Sequence, residues 1–117
     1  MKKIYHLSTC STCQRILQEV QAEKKGFVLQ DIKTEGITPA QLDELKEKAG
    51  SYEALFSRRA IKYKELGLKD KVLTEADYRR LILEEYTFLK RPVAIAGKLV
   101  FAGSEKGTIE ALKEAIS

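Results

Sequence analysis

The sequence contains one histidine and two cysteines, and it has no long apolar run. A membrane-spanning helix needs about 20 consecutive apolar residues, so we predict that the chain is not a membrane protein. A structural zinc site needs four ligands, and His6 is the only imidazole available beside Cys10 and Cys13. We therefore expect no metal site. A chain of 117 residues can bury enough apolar surface to fold without a disulfide or a metal.

The N-terminus lacks the features of a secretion signal. Its apolar segment, Ile4-Tyr5-His6-Leu7, meets polar residues after only a few positions, whereas the apolar core of a signal peptide is longer. No internal repeat, low-complexity segment or linker divides the chain. These observations predict a single cytoplasmic domain over residues 1–117.

The formal net charge of +4 is modest. Basic residues are concentrated between residues 58 and 91, but they do not form a platform with interleaved aromatic residues, and no zinc-finger or helix-turn-helix pattern is present. We interpret most of these residues as solvated helix faces and expect no direct contact with nucleic acid.

The N-terminal part of the sequence predicts a β-α-β unit. Residues 3–7 are rich in strand formers, and residues 27–32 form a second apolar strand pattern. Between them, residues 11–24 predict a helix that ends at Gly26, with apolar residues at helical spacing: Ile16, Leu17 and Val20. A strand–helix–strand order implies two parallel strands joined by a right-handed crossover.

The middle of the chain is predicted to be helical. Thr38 and Gln41 have the spacing of a capping box, with Pro39 at the first helical position and Gly50 as the stop. Residues 51–67 predict short helical turns, and Thr74 begins another helix. The apolar candidates for the core of this segment are Tyr52, Leu55, Phe56, Ile61, Tyr63, Leu66, Tyr78, Leu81 and Ile82.

The C-terminal part predicts two strands and a helix. Residues 91–103 contain two apolar strands around Gly97-Lys98, which is typical of a tight hairpin. Residues 104–117 carry Ile109, Leu112 and Ile116 on one helical stripe. The residues alone therefore indicate a small mixed sheet with helices packed on it.

The two cysteines form a Cys-x-x-Cys motif where the first predicted strand meets the first predicted helix. In this setting the motif is typical of thiol redox proteins, because unpaired helix N–H groups stabilise the thiolate of the first cysteine. Cys13 lies one helical turn after Cys10 and can attack a sulfur adduct on it. Two cysteines that serve only for packing remain the alternative.

His6 is placed at the end of the first predicted strand, four residues before Cys10. From this position an imidazole can approach the loop that carries the thiol and stabilise the thiolate. On spacing alone, a purely structural histidine is the more frequent case.

Several segments, in order, resemble the glutaredoxin-linked arsenate reductase family, which also contains the Spx-type transcription regulators. They are His6-Leu7-Ser8-Thr9-Cys10-Ser11-Thr12-Cys13, Arg59, Tyr63-Lys64-Glu65-Leu66-Gly67-Leu68 and Leu89-Lys90-Arg91-Pro92. The resemblance covers essentially the whole chain. It implies an α/β, thioredoxin/glutaredoxin-like fold with a helical insertion, at about residues 37–88, between the β-α-β unit and the C-terminal β-β-α unit.

The resemblance also implies roles for individual residues. Cys10 corresponds to the nucleophile and His6 to the histidine that supports its thiolate. Arg59 and Arg91 correspond to anion-binding arginines, and Pro92 to the cis-proline that faces the cysteine. Ser11 and Thr12, between the two cysteines, join these residues as expected substrate contacts.

The resemblance further implies a thiol-dependent reductase whose substrate is a small oxyanion such as arsenate. No bound cofactor is expected, and reducing equivalents come from glutathione and glutaredoxin, or from thioredoxin if Cys13 supplies the second thiol. The alternative is an Spx-type regulator that binds RNA polymerase and responds to a Cys10–Cys13 switch. A thioredoxin-fold protein without redox activity is the third alternative.

Overall fold

The computed structural model describes residues 2–116, which form two compact units. One unit comprises the residues up to Gly36 together with those from Arg91 onwards, and the other is Ile37–Lys90. The second unit occupies the segment in which the helical insertion is predicted. In chain order, the elements are β1 Lys2–His6, α1 Ser11–Glu19, β2 Val28–Asp31, α2 Pro39–Ala49, α3 Ile61–Glu65, α4 Glu75–Glu84, β3 Val93–Ala96, β4 Leu99–Ala102 and α5 Lys106–Ile116.

The first unit is built on a four-stranded mixed sheet in the order β2-β1-β3-β4. Strands β1 and β2 are parallel, as the β-α-β prediction requires, while β3 is antiparallel to both β1 and β4. Ala96 pairs with Leu99, so the hairpin loop consists of Gly97 and Lys98. Gly97 has a φ of 64°, a left-handed conformation that glycine adopts without steric cost. The predicted mixed sheet and hairpin are confirmed.

An apolar core packs α1 and α5 against this sheet. The residues predicted for the helix stripes all lie in it, because they point from one face of each helix towards the sheet. Its buried members are Ile4, Ile16, Leu17, Val20, Ala22, Phe27, Ala94, Ile109, Leu112 and Ile116.

Helix α1 ends at Glu19, so the predicted extension to residue 24 is wrong. Gln21 adopts a left-handed conformation with a φ of 55°. The N–H of Ala22 donates to Leu17 O over 3.0 Å and that of Gln21 to Gln18 O over 3.1 Å, which is the Schellman pattern of a helix end. The sequence prediction missed this end because the left-handed position is usually a glycine.

The second unit begins with the predicted capping box. The N–H of Gln41 donates to the Thr38 hydroxyl over 3.1 Å, and the N–H of Thr38 donates to the Gln41 side chain over 3.0 Å. Helix α2 then runs from Pro39 and ends before Gly50, whose φ is 98°. Thr74 and Asp77 form a second capping box at the start of α4.

Phe56 lies at the centre of the core of the second unit. Its ring stacks on Phe88 at 5.0 Å and contacts Tyr78 at 4.9 Å between centroids. Ile61 and Leu66, which were predicted to be core residues, are 77% and 49% exposed. The prediction is wrong for them because α3 has only five residues, none of which is buried, and Leu66 follows directly after its end.

None of the helices within residues 2–116 is long and apolar enough to cross a membrane. The predictions of a single domain and of a cytoplasmic location remain predictions.

The left-handed Gln21 yields a stability prediction. The left-handed backbone of a non-glycine residue costs roughly 1–2 kcal/mol of stability. Glycine avoids this cost, but its greater freedom in the unfolded chain reduces the gain in stability by about 0.4–1 kcal/mol. We therefore expect Gln21→Gly to raise the free energy of unfolding by about 0.5–1 kcal/mol. Gln18→Gly, inside α1, should lower it by about 1 kcal/mol. Urea unfolding with both variants measures the two signs, and a loss of stability in Gln21→Gly would contradict this account.

Candidate active site

Cys10 occupies the N-cap position of α1, directly after the loop that follows β1. Its backbone is extended, with φ −96° and ψ 109°, and its N–H donates to Leu7 O over 3.0 Å. The side chain is partly exposed. The sulfur therefore lies where the first N–H groups of the helix have no intrahelical acceptor.

The pKa of Cys10 is lowered from its ordinary value. Burial acts in the opposite direction, but it is outweighed by four favourable interactions. These are hydrogen bonds from the backbone and side chain of Cys13, the positive charge of Arg91, and a hydrogen bond from the backbone of Thr12. The thiolate is the nucleophilic form of cysteine, so the sequence prediction of a reactive thiol at this position has a physical basis.

Cys13 differs from Cys10 both in burial and in the pKa of its thiol. Cys13 is fully buried, and this burial raises the pKa of its thiol to about 12, with a further contribution from the charge of Cys10. Both cysteines are free, and the Cys13 S–H serves as a hydrogen-bond donor to the Cys10 sulfur. The pair therefore combines one ionisable thiol with one thiol that stays protonated at neutral pH.

His6 is buried at the end of β1, on the face of the sheet that Ile4 also occupies. Its Nδ1 lies 3.2 Å from Nε2 of Gln14, and the same amide nitrogen donates to Leu7 O over 3.1 Å. Sequence reasoning missed Gln14. A signal was present, because Gln14 lies four residues after Cys10 and eight after His6, on the helix that the redox motif begins.

Asp31, at the end of β2, holds the loop between β1 and Cys10 by hydrogen bonds. It is the register partner of His6, and its Oδ1 accepts the N–H of Ser8 over 3.3 Å and of Lys33 over 3.1 Å. The pKa of Asp31 is lowered, first by a hydrogen bond from the Ser8 side chain and then by hydrogen bonds from the backbones of Lys33 and Ser8. The carboxylate therefore anchors the backbone between β1 and Cys10. Sequence reasoning missed this residue as well.

Arg91 and Pro92 enter the site from the start of β3. The peptide bond between them is cis, as the family resemblance implies, and Pro92 is buried with its carbonyl accepting the N–H of Gly103 over 2.9 Å. The charge of Arg91 lowers the pKa of both cysteines. Of the other expected substrate contacts, Ser11 is exposed and Thr12 is half-buried on the first turn of α1.

Arg59 belongs to the second unit. Its side chain is exposed, just before α3, and its N–H donates to the Ser57 hydroxyl over 3.3 Å. The neighbouring Arg58 is engaged by Glu53 at 2.7 Å and by the Tyr78 hydroxyl at 3.0 Å. A role for Arg59 in binding an anion stays a prediction.

A metal site would require three or more histidine, cysteine, aspartate or glutamate residues close together. Residues 2–116 contain no such group. The chemistry available at the described site is that of a thiolate beside a guanidinium.

Comparisons with known proteins support the resemblance. The model of the ArsC family matches residues 5–112, while no curated protein sequence matches significantly.

Among solved structures, the YffB protein is 21% identical, with a TM-score of 0.80 over 100% of both chains. Arsenate reductase from Vibrio cholerae is 18% identical, with a TM-score of 0.77 over 96% of this chain and 95% of its own. An arsenate reductase (ArsC) related protein from Brucella melitensis is 23% identical, with a TM-score of 0.72 over 94% and 92%. At such identities the likeness shows the fold, and the predicted thioredoxin-like α/β fold is confirmed.

The hydrogen bond from Cys13 to Cys10 yields a prediction for the thiol pKa. A hydrogen bond to a charged group contributes about 1.5–3 kcal/mol, and one pKa unit corresponds to about 1.4 kcal/mol. We expect Cys13→Ala to raise the pKa of Cys10 by about one to two units, whereas Cys13→Ser retains a hydroxyl donor and changes it less. Ultraviolet titration of the thiolate measures both variants. Equal pKa values in wild type and Cys13→Ala would show that the donor has no effect.

Proposed function

The chain belongs to the ArsC family, and from this premise we propose that it is an arsenate reductase-like enzyme in which Cys10 attacks a bound oxyanion. Membership of the family supports a thiol-dependent reductase, and so an oxidoreductase, in general. The substrate, the reductant and the roles of single residues belong to the proposal.

One observation carries the proposal: the pKa of the Cys10 thiol is lowered, and the positive charge of Arg91 contributes to this. A guanidinium can donate two parallel hydrogen bonds to the oxygens of an anion. At this position the guanidinium of Arg91 would bind an oxyanion next to the Cys10 thiolate. The N–H groups of the first turn of α1, including that of Thr12, offer further donors to an anion.

The proposed reaction has two chemical steps. The Cys10 thiolate attacks arsenic(V), a sulfur–arsenic bond forms, and one oxygen leaves as water after taking up two protons. A second thiolate then attacks the Cys10 sulfur and forms a disulfide. The sulfur–arsenic bond breaks, its electron pair stays on arsenic, and arsenite(III) is released. Further thiols reduce the disulfide.

The source of the second thiolate follows from the state of Cys13. A buried thiol with a pKa of about 12 is a poor nucleophile at neutral pH. Glutathione with glutaredoxin is therefore the proposed first reductant. Cys13 with thioredoxin is the alternative route.

Turnover measurements test the proposal. Arsenate-dependent NADPH consumption is followed with glutathione–glutaredoxin and, in parallel, with thioredoxin–thioredoxin reductase. We expect Cys10→Ser to abolish turnover in both systems, because no nucleophile remains. Cys13→Ser should retain turnover with glutathione–glutaredoxin and lose any that depends on thioredoxin.

Two results would count against this function. If Cys10→Ser retained wild-type turnover, another group would be the nucleophile. If the wild type turned over neither arsenate nor any other oxyanion or disulfide with either system, the enzyme assignment would be wrong.

A redox switch of the Spx type is the second candidate, and the hydrogen bond between Cys13 and Cys10 favours it. A peroxide can take two electrons and two protons from the two thiols, which forms the Cys10–Cys13 disulfide and, from hydrogen peroxide, two molecules of water, without any other protein group. Binding to purified RNA polymerase would then differ between the reduced and the oxidised protein. Equal or absent binding in both states would exclude the switch.

A further inference from the structure

The side chain of Gln14 connects His6 to the loop before Cys10. Its amide nitrogen lies 3.1 Å from Leu7 O and 3.2 Å from His6 Nδ1. His6 and Gln14 both line a cleft of about 650 Å³ that also contains Gln18 and Gln21. The contact is therefore formed on the side of α1 that faces this cleft.

The hydrogen-bond partners determine which nitrogen of His6 carries the proton. A carbonyl oxygen only accepts, so the Gln14 atom beside Leu7 O must be the amide NH₂ group. That group has two hydrogens, and the second is available to His6 Nδ1. A nitrogen that accepts a hydrogen bond carries no proton, so in the neutral ring the proton resides on Nε2.

The charged groups around His6 come from several elements. Asp31 is its register partner on β2, and Glu23 and Lys24 share the cleft with it. Cys10, interacting with Arg91, follows at the start of α1. The position of the imidazole among these groups makes its protonation state relevant to the thiolate.

We propose that Gln14 is a positioning residue that holds His6 neutral, with its proton on Nε2, and ties the ring to the backbone that leads to Cys10. His6 then offers a neutral N–H donor. The charge of the Cys10 thiolate is balanced by the helix N–H groups, the Cys13 S–H and Arg91, without an imidazolium. This assignment of the tautomer does not depend on the proposed function.

The single histidine of the sequence permits a direct test. In uniformly ¹⁵N-labelled protein without a histidine tag, long-range proton–nitrogen correlation spectra report the two ring nitrogens of His6 alone. The protonated and unprotonated nitrogens have widely separated shifts. The variants are Gln14→Leu, which removes both hydrogen bonds, and Gln18→Leu, which makes the same change one turn further along the cleft.

We expect a protonated Nε2 and an unprotonated Nδ1 in the wild type and in Gln18→Leu. In Gln14→Leu the two shifts should move towards each other, because the neutral ring then samples both tautomers. A protonated Nδ1 in the neutral ring of the wild type would overturn the proposal. So would shifts in a folded Gln14→Leu identical to those of the wild type.

A second pair of variants gives a readout that packing alone would not change. In Gln14→Glu the new carboxylate accepts a proton from Nδ1 and favours the imidazolium. The rate of Cys10 alkylation against pH should then gain an inflection at about pH 6–8, where imidazoles titrate. Gln18→Glu adds the same charge without the contact and should show no such inflection. The same profile in wild type and Gln14→Glu would contradict the proposal, and neither measurement requires a substrate.

Discussion

The site depends on the hydrogen bonds that the start of α1 donates to the Cys10 sulfur. A helix leaves its first N–H groups without intrahelical acceptors, and here the backbones of Thr12 and Cys13 direct them at a side chain that can ionise. The same helix places the S–H of Cys13 beside that sulfur and buries the rest of the residue in the core. One local geometry therefore lowers the pKa of one cysteine and raises that of the other.

The sheet of the first unit brings the remaining groups to this helix end. Tyr5 pairs with Val93, so the antiparallel arrangement of β1 and β3 places Arg91 and Pro92 beside the end of β1. The parallel pairing of β1 and β2 places Asp31 beside His6. Strand ends that are far apart in the sequence thus meet next to the loop that carries Cys10, and side-chain hydrogen bonds from Gln14 and to Asp31 hold that loop.

The sequence predicted the parts of this arrangement that short-range signals encode. The Cys-x-x-Cys motif at a strand–helix junction, the capping box at Thr38 and the turn at Gly97 each have a local physical cause. The end of α1 was missed because Gln21 accepts a left-handed conformation without being a glycine. The exposure of Ile61 was missed because the length of α3, which composition does not reveal, decides it. The role proposed for Gln14 requires the tertiary contact with His6, and the role of Arg59 remains a prediction from the resemblance alone.

Competitive alkylation tests most directly the claim that Cys10 is the reactive thiolate and Cys13 a protonated thiol. The folded, reduced protein is treated with a limiting amount of iodoacetamide at neutral pH, then denatured and treated with an isotopically distinct reagent, and the peptides are analysed by mass spectrometry. We expect the first label on Cys10 and the second on Cys13. Equal first labelling of the two cysteines, or preferential first labelling of Cys13, would contradict it.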